Sequence, residues 1–383
     1  MKKFFKWLGI VLAILFIVAL LFNKKKEQNN QLGFIPPANN YQSRSFYMGF
    51  TPWPLDLTNE GVKQAYDFLH QHADIVAHHF DGGLPWQEAL DGKAFPKHLQ
   101  DDWNFRKSQT LKTQKIYLAI TPVNFERTGL AQNWGENGDS QPLAEPWGSY
   151  RLNDEHVKQA FFNYAKRAVE FFKPDYLAIG IETNIIISKA PDKWQDYLEL
   201  NAYVYNELKK DYPKLPVFST VQYEHLRGIE NEAKKNVKQQ QPGVQELLKH
   251  SDLLALSTYR FGLDHNPYTA DYFKPALAFN KPLAISETGG ISKEVNIFGN
   301  KLRASEEDQK NYLSMILQQA QEHKFVFVIN WVAIDYDRLL EKLPAGPIQE
   351  IAKAWVHTGL VSSDGKNKPP LGVWDSYYKL PKK

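Results

Sequence analysis

The 383-residue chain contains no cysteine. That absence removes disulfide bridges, thiolate zinc centres and a cysteine nucleophile together, and with them lipid attachment through an N-terminal cysteine. Charge of one sign is also scarce: 46 Lys and Arg against 43 Asp and Glu leave a formal net charge of +3. The lysines are spread through helical segments, so the electrostatic footprint of a nucleic-acid partner is missing and none is expected. Only one long hydrophobic run occurs, Trp7 to Phe22, and no low-complexity block or composition shift marks a second domain later in the chain. What is plentiful is apolar and aromatic. With 43% hydrophobic residues the chain can bury a sizeable core, and its 10 Trp, 19 Tyr and 23 Phe either fill that core or line a groove that stacks on flat ligand faces.

The apolar run is preceded by Met1-Lys-Lys-Phe-Phe-Lys6 and closed by Asn23-Lys-Lys-Lys-Glu27. As a helix its sixteen residues rise about 24 Å against a hydrocarbon core of about 30 Å, a gap that Phe4, Phe5 and snorkelling lysines can bridge. Ala-Leu-Leu-Phe-Asn is a poor match to a small-residue cleavage site, which favours an uncleaved single-pass anchor with the bulk of the chain outside the cytoplasm. A cleaved signal peptide and a secreted product is the alternative. Residues 24–45, with Pro36-Pro37 and Asn39-Asn40, read as a polar linker. The expected organisation is an anchor over 1–23, a linker over 24–45 and one domain over 46–383.

Within that domain eight apolar runs read as strands: Phe46–Thr51, Ile75–His79, Ile116–Thr121, Tyr176–Glu182, Val217–Gln222, Leu253–Tyr259, Leu283–Glu287 and Phe325–Trp331. Helical patterns lie between them, with capping residues before Val62–His70, Val157–Phe172 and Tyr312–His323. Eight βα units predict an α/β fold of the (β/α)8 TIM-barrel type, with an open doubly wound sheet as the other arrangement such spacing allows. On the fourth run, alternation groups Ala178, Gly180 and Glu182 on one inward face and Leu177, Ile179 and Ile181 on the other.

In such a barrel the chemistry sits at the carboxyl ends of the strands. Two runs there end in a single glutamate, Glu182 and Glu287, and a carboxylate at the end of a buried strand is costly unless used. Two facing carboxyls are what hydrolysis of a glycosidic bond needs, one protonated and one ionised. The other strand ends supply sugar-compatible groups: Trp53, His79, Asn184, Gln222, Tyr259 and Trp331. Singly, Trp53, Trp86 and Trp331 read more simply as core, and Arg260, Asp335 and Asp337 as rim salt bridges. His78 and His79 are strand neighbours that point to opposite faces, and no further ligands stand at metal spacing, so no metal or other cofactor is implied.

At these residues the chain resembles the clan of retaining (β/α)8 glycoside hydrolases that carry an acid/base glutamate after strand four and a nucleophilic glutamate after strand seven. The resemblance implies Glu182 as acid/base, Glu287 as nucleophile, Tyr259 as the aromatic that contacts the nucleophile, and Trp331 as the floor of the sugar subsite. The segment Trp355 to Trp374 also resembles the ending of such enzymes. One departure matters: the clan usually has Asn before the acid/base Glu, and this chain has Ile181. The implied function is a membrane-tethered glycosidase acting on an oligo- or polysaccharide. The alternative is a weak or inactive barrel that binds polysaccharide in an envelope or matrix assembly.

Overall fold

The computed structural model describes residues 39–229, 233–259 and 271–383. The apolar run at the amino terminus and Arg260 lie outside them. Among the described residues no helix is long and apolar enough to cross a membrane.

The main sheet is read in the order 217–218, 176–178, 115–120, 75–80, 47–50, 327–330, 283–288, 254–258 and 220–222. Its first and last pieces flank a single residue, Ser219, so they are two halves of one strand. The order therefore begins and ends on the same strand, and the resolved registers are parallel. An α/β parallel-strand barrel of the TIM type fits this topology, and all eight expected runs contribute to it. An open doubly wound sheet has two edges and does not fit.

The described chain forms two compact units, one of residues 78–228 and 233–255, the other of residues 39–77, 229, 256–259 and 271–383. In the second, the first strand (Tyr47–Phe50) lies between the strand starting at Ile75 and the last strand, Phe327–Asn330. A Cβ on Gly49 would stand 1.8 Å from the Ile75 carbonyl oxygen, so this pairing admits only glycine there. Asp74 fixes the turn before the next strand by accepting from the Met48 amide at 2.7 Å and by pairing with Arg44. The helix Pro369–Tyr378 buries Trp374 completely, with its indole N–H donating to the His72 carbonyl at 2.8 Å and its ring 4.5 Å from Phe50.

The three helices with capping signals form and begin earlier than their apolar periodicity. Asn59–His72 starts after Thr58, whose hydroxyl accepts from the Gly61 amide; Glu155–Phe172 starts after Asp154; Glu306–Glu322 starts after Ser305. Each first turn is polar because it needs capping and acidic groups rather than core contacts. In the first unit, Glu155–Phe172 and Trp194–Asp211 each bury one apolar stripe, Phe161, Tyr164 and Phe172 in one and Tyr197, Leu200 and Val204 in the other.

Candidate active site

The first unit carries Glu182. The ladder of its strand covers only Tyr176–Ala178, although main-chain bonds continue from Ile179 N to Phe218 O and from Thr220 N to Gly180 O. Gly180 faces the helix Trp194–Asp211: a Cβ there would meet the Tyr197 hydroxyl at 2.1 Å and Ser219 Oγ at 2.8 Å. Ser219 Oγ in turn hydrogen-bonds Tyr197 and donates to Asn201 on the same helix. The inward face expected for Ala178, Gly180 and Glu182 therefore does not persist past Ala178. Beyond it the backbone leaves the regular pleat, and Glu182 has φ +50.

That turn presents the Glu182 carboxylate to Arg127, whose Nη2 stands 3.6 Å from Oε2, while the Glu182 amide donates to Thr220 Oγ1 at 2.8 Å. Arg127 is buried, has φ +57, and donates through Nη1 to the carbonyls of Asn124 and Phe125 at 3.0 and 2.9 Å. Ile181, in the position of the expected Asn, is buried.

Further along the same rim, His79 lies 3.4 Å from Asp81. Burial pushes the Asp81 carboxyl up, but His79 and then Arg127 outweigh it and hold the group below the usual carboxylate range. The opposite holds for Asp139, on the hairpin Asn133–Gly135 and Gly138–Gln141. Burial, then the charges of Asp102 and Asp81, push it up to about 8. Asp102 is itself pushed up to about 6 by burial, against the pull of Arg106 at 2.7 Å. His78 is buried and lowered to about 3, so it is neutral and hydrogen-bonds Thr110.

Asn184 and Gln222, both expected at the substrate, are spent on each other. Asn184 is fully buried; its amide donates to Gln222 O and Gln240 Oε1, and its oxygen accepts from the Gln222 amide. The Gln222 side chain donates to Glu224 and accepts from His225. A substrate contact from Asn184 would break this clamp, which joins the ends of strands four and five. Trp86 and Trp134 are core: Trp86 stacks on Trp147, and Trp134 donates to His98.

The second unit carries Glu287, on the strand Leu283–Thr288. Tyr259 Oη donates to its Oε1 at 2.5 Å, and the Tyr259 and Trp355 rings pack at right angles with centroids 5.9 Å apart. Trp331 directly follows the last strand, with its amide bonded to Thr288 O at 2.6 Å and a cis peptide to Val332. Its ring packs 4.8 Å from Trp53, which also lies 5.8 Å from Tyr336. Tyr336 is raised by burial well beyond the range of an ordinary phenol and stays neutral. Asp335 does not lie in a rim salt bridge. It is buried with Lys368 at 2.7 Å, accepts from the Gly359 amide at 3.0 Å and has His357 at 3.3 Å; Lys368 also donates to Ser292.

The Tyr259–Glu287 contact is the one the resemblance implies, whereas the packing of Trp53 on Trp331 was not expected from the sequence. The sequence reading missed Arg127, for which the only signal was a lone arginine in the turn Asn124-Phe-Glu-Arg-Thr-Gly, and Lys368, hidden in a Lys-Asn-Lys-Pro-Pro surface-like stretch. Among the described residues no group of His, Cys, Asp and Glu is arranged to hold a metal ion.

No family profile matches the sequence, and no curated protein is similar to it. Solved structures are. An exo-β-1,4-mannosidase from Opitutaceae bacterium strain TAV5 superposes with a TM-score of 0.60 at 15% identity, over 90% of this chain and 61% of that one. A variant of a GH5_18 protein from Streptomyces cattleya, in complex with Manβ1-4GlcNAc, gives 0.58 at 11% identity over 88% and 83%. A β-D-glucuronidase of Dictyoglomus thermophilum gives 0.53 at 11% over 88% and 51%. The chain thus spans about three-fifths of the mannosidase and half of the glucuronidase. The fold is the barrel of these glycoside hydrolases.

Proposed function

We propose that the protein is a retaining glycoside hydrolase tethered to a membrane by its amino terminus, acting outside the cytoplasm on a β-linked glycan. The observation that carries the glycosidase reading is the Tyr259–Glu287 hydrogen bond at the end of the seventh strand, in a barrel whose fourth strand leads into the second expected glutamate, Glu182; the tether rests on the apolar run Trp7 to Phe22 alone. Two of the barrel neighbours, a β-1,4-mannosidase and a β-D-glucuronidase, support a β-linked substrate.

In the first step a Glu287 carboxylate oxygen attacks the anomeric carbon, the glycosidic C–O bond breaks, and Glu182 gives its proton to the leaving oxygen. In the second, water attacks the same carbon, Glu182 takes the water proton, and Glu287 leaves as carboxylate. Tyr259 orients the nucleophile, and the Trp53–Trp331 pair supplies an apolar wall for a sugar face. Arg127 is the polar group beside Glu182 that stands in for the side chain Ile181 cannot supply. No cofactor enters.

Glu287→Ala should abolish turnover of every glycoside in an aryl-β-glycoside panel. Glu182→Ala should cost on the order of 10² to 10⁴ with poor leaving groups and little with dinitrophenyl glycosides, which need no proton. Proton NMR of the first-formed sugar should show the starting anomer. An inverted product would refute the double displacement. Ile181 favours a second reading, a barrel that binds polysaccharide without cleaving it. In that case no substrate turns over, and glycan affinity responds to Trp331→Ala more than to either glutamate.

A further inference from the structure

The segment after Glu287 runs through Gly289 and Gly290 into a hairpin, Val295–Ile297 paired antiparallel with Asn300–Leu302. Its inner face is buried through Val295, Ile297 and Leu302, and a Glu294–Lys301 ion pair at 2.9 Å staples its base. At its tip stand Phe298 and Gly299, both with positive φ, +48 and +78. Gly299 suits that conformation; a bulky side chain does not, and Asn or Gly would be the ordinary choice at position 298. The Phe298 ring is 42% exposed, among the four most exposed large apolar side chains described. Its backbone is held: the Phe298 amide donates to Glu350 Oε2 at 3.2 Å, and Glu350 pairs with Lys353. The hairpin thus displays a partly exposed aromatic residue in a backbone state that disfavours it.

We infer that Phe298 is a stacking platform for a sugar ring lying beyond the glycosidic bond that is cleaved. This deepens the glycosidase reading and rests on it. The hairpin is the loop that follows the seventh strand, and Phe298 is only eleven residues on from Glu287, so the loop rises from the carboxyl end of the strand that carries the nucleophile. An exposed aromatic face suits the apolar face of a pyranose, and pre-organisation of the tip removes the ordering cost such a contact would otherwise carry.

The test compares the full chain with Phe298→Asn, which accepts the positive φ and so leaves the hairpin intact, and with Phe298→Trp. The probes are 4-nitrophenyl β-D-mannoside and β-D-glucoside, which place no sugar beyond the cleaved bond, and β-1,4-linked manno- and gluco-oligosaccharides of two to six units. Phe298→Asn should raise KM roughly three- to tenfold for the longer oligosaccharides, leave kcat and the aryl glycosides unchanged, and be rescued by Phe298→Trp. Equal losses on aryl glycosides and oligosaccharides, or no loss at any length, would overturn the assignment. If nothing is hydrolysed, the catalytic reading has failed separately, and affinity electrophoresis in soluble mannan and glucan decides. Retardation weakened by Phe298→Asn keeps the platform; retardation unaffected, or absent from the wild type, removes it.

Discussion

Asp139→Asn isolates a carboxyl that burial pushes up to about 8. With its pKa at about 8 in the folded chain and 3.8 as the ordinary value, Asp139 keeps its proton between these limits while the unfolded chain has lost it. The folded state therefore binds more protons there, and stability must fall as pH rises. The contribution is fully present below about pH 4 and is lost as pH climbs through about 8. Asparagine fits the same space and never ionises, so it removes the dependence. The variant should gain on the wild type by about 1.4 kcal/mol per pH unit, near 3 kcal/mol between pH 5 and 7. His78 and His225, both buried and lowered to about 3, act in the other direction, losing stability as pH falls below 6.5. They are common to both proteins and cancel in the difference. Urea unfolding at pH 5, 6 and 7, with ΔG extrapolated to water, measures it. Parallel pH dependences would refute the reasoning, because they would mean that Asp139 is ionised in the native state.

Lys368→Met should destabilise the domain by about 3–5 kcal/mol in urea titrations, since it leaves Asp335 buried with its principal cation gone; adding Asp335→Asn should recover a large part. Thr58→Ala should cost about 1 kcal/mol, because the helix Asn59–His72 loses the hydroxyl that caps the Gly61 amide. The full-length protein should fractionate with membranes and resist a high-salt wash, because ions screen charge attraction and leave an inserted helix in place; deleting residues 1–30 should release a soluble domain of unchanged activity.

The strands were legible because a buried parallel strand is a short apolar run wherever it occurs, and Leu254–Thr258 and Leu283–Thr288 needed no long-range information to be found. The glutamate that ends Leu283–Thr288 was legible for the same reason: a lone acid stands out against Leu-Ala-Ile-Ser. What failed was alternation. It assumes a regular pleat, and at Gly180 the pleat yields to the Tyr197 hydroxyl from a helix fourteen residues later. The two hairpins were missed because strands of three or four residues carry no periodicity. Asn184 was hard to place because an amide two residues after a strand-end glutamate looks the same in sequence whether it faces a cleft or, as here, bonds Gln222 and Gln240.

Ile181 and Arg127 show where residue-by-residue transfer from a resemblance stops. The resemblance asks for a polar side chain at one sequence position, and that position holds a buried isoleucine. In space, however, the left-handed turn at Glu182 swings its carboxylate toward a guanidinium from the loop after the third strand. Arg127 stands there because its own left-handed backbone and the carbonyls of Asn124 and Phe125 aim it. Two unusual φ values more than fifty residues apart are thus one device, and neither has a sequence signal that links it to the other. If the device serves catalysis, Arg127→Lys, which keeps the charge but loses the planar fork held by those two carbonyls, should lower turnover while leaving glycan affinity intact.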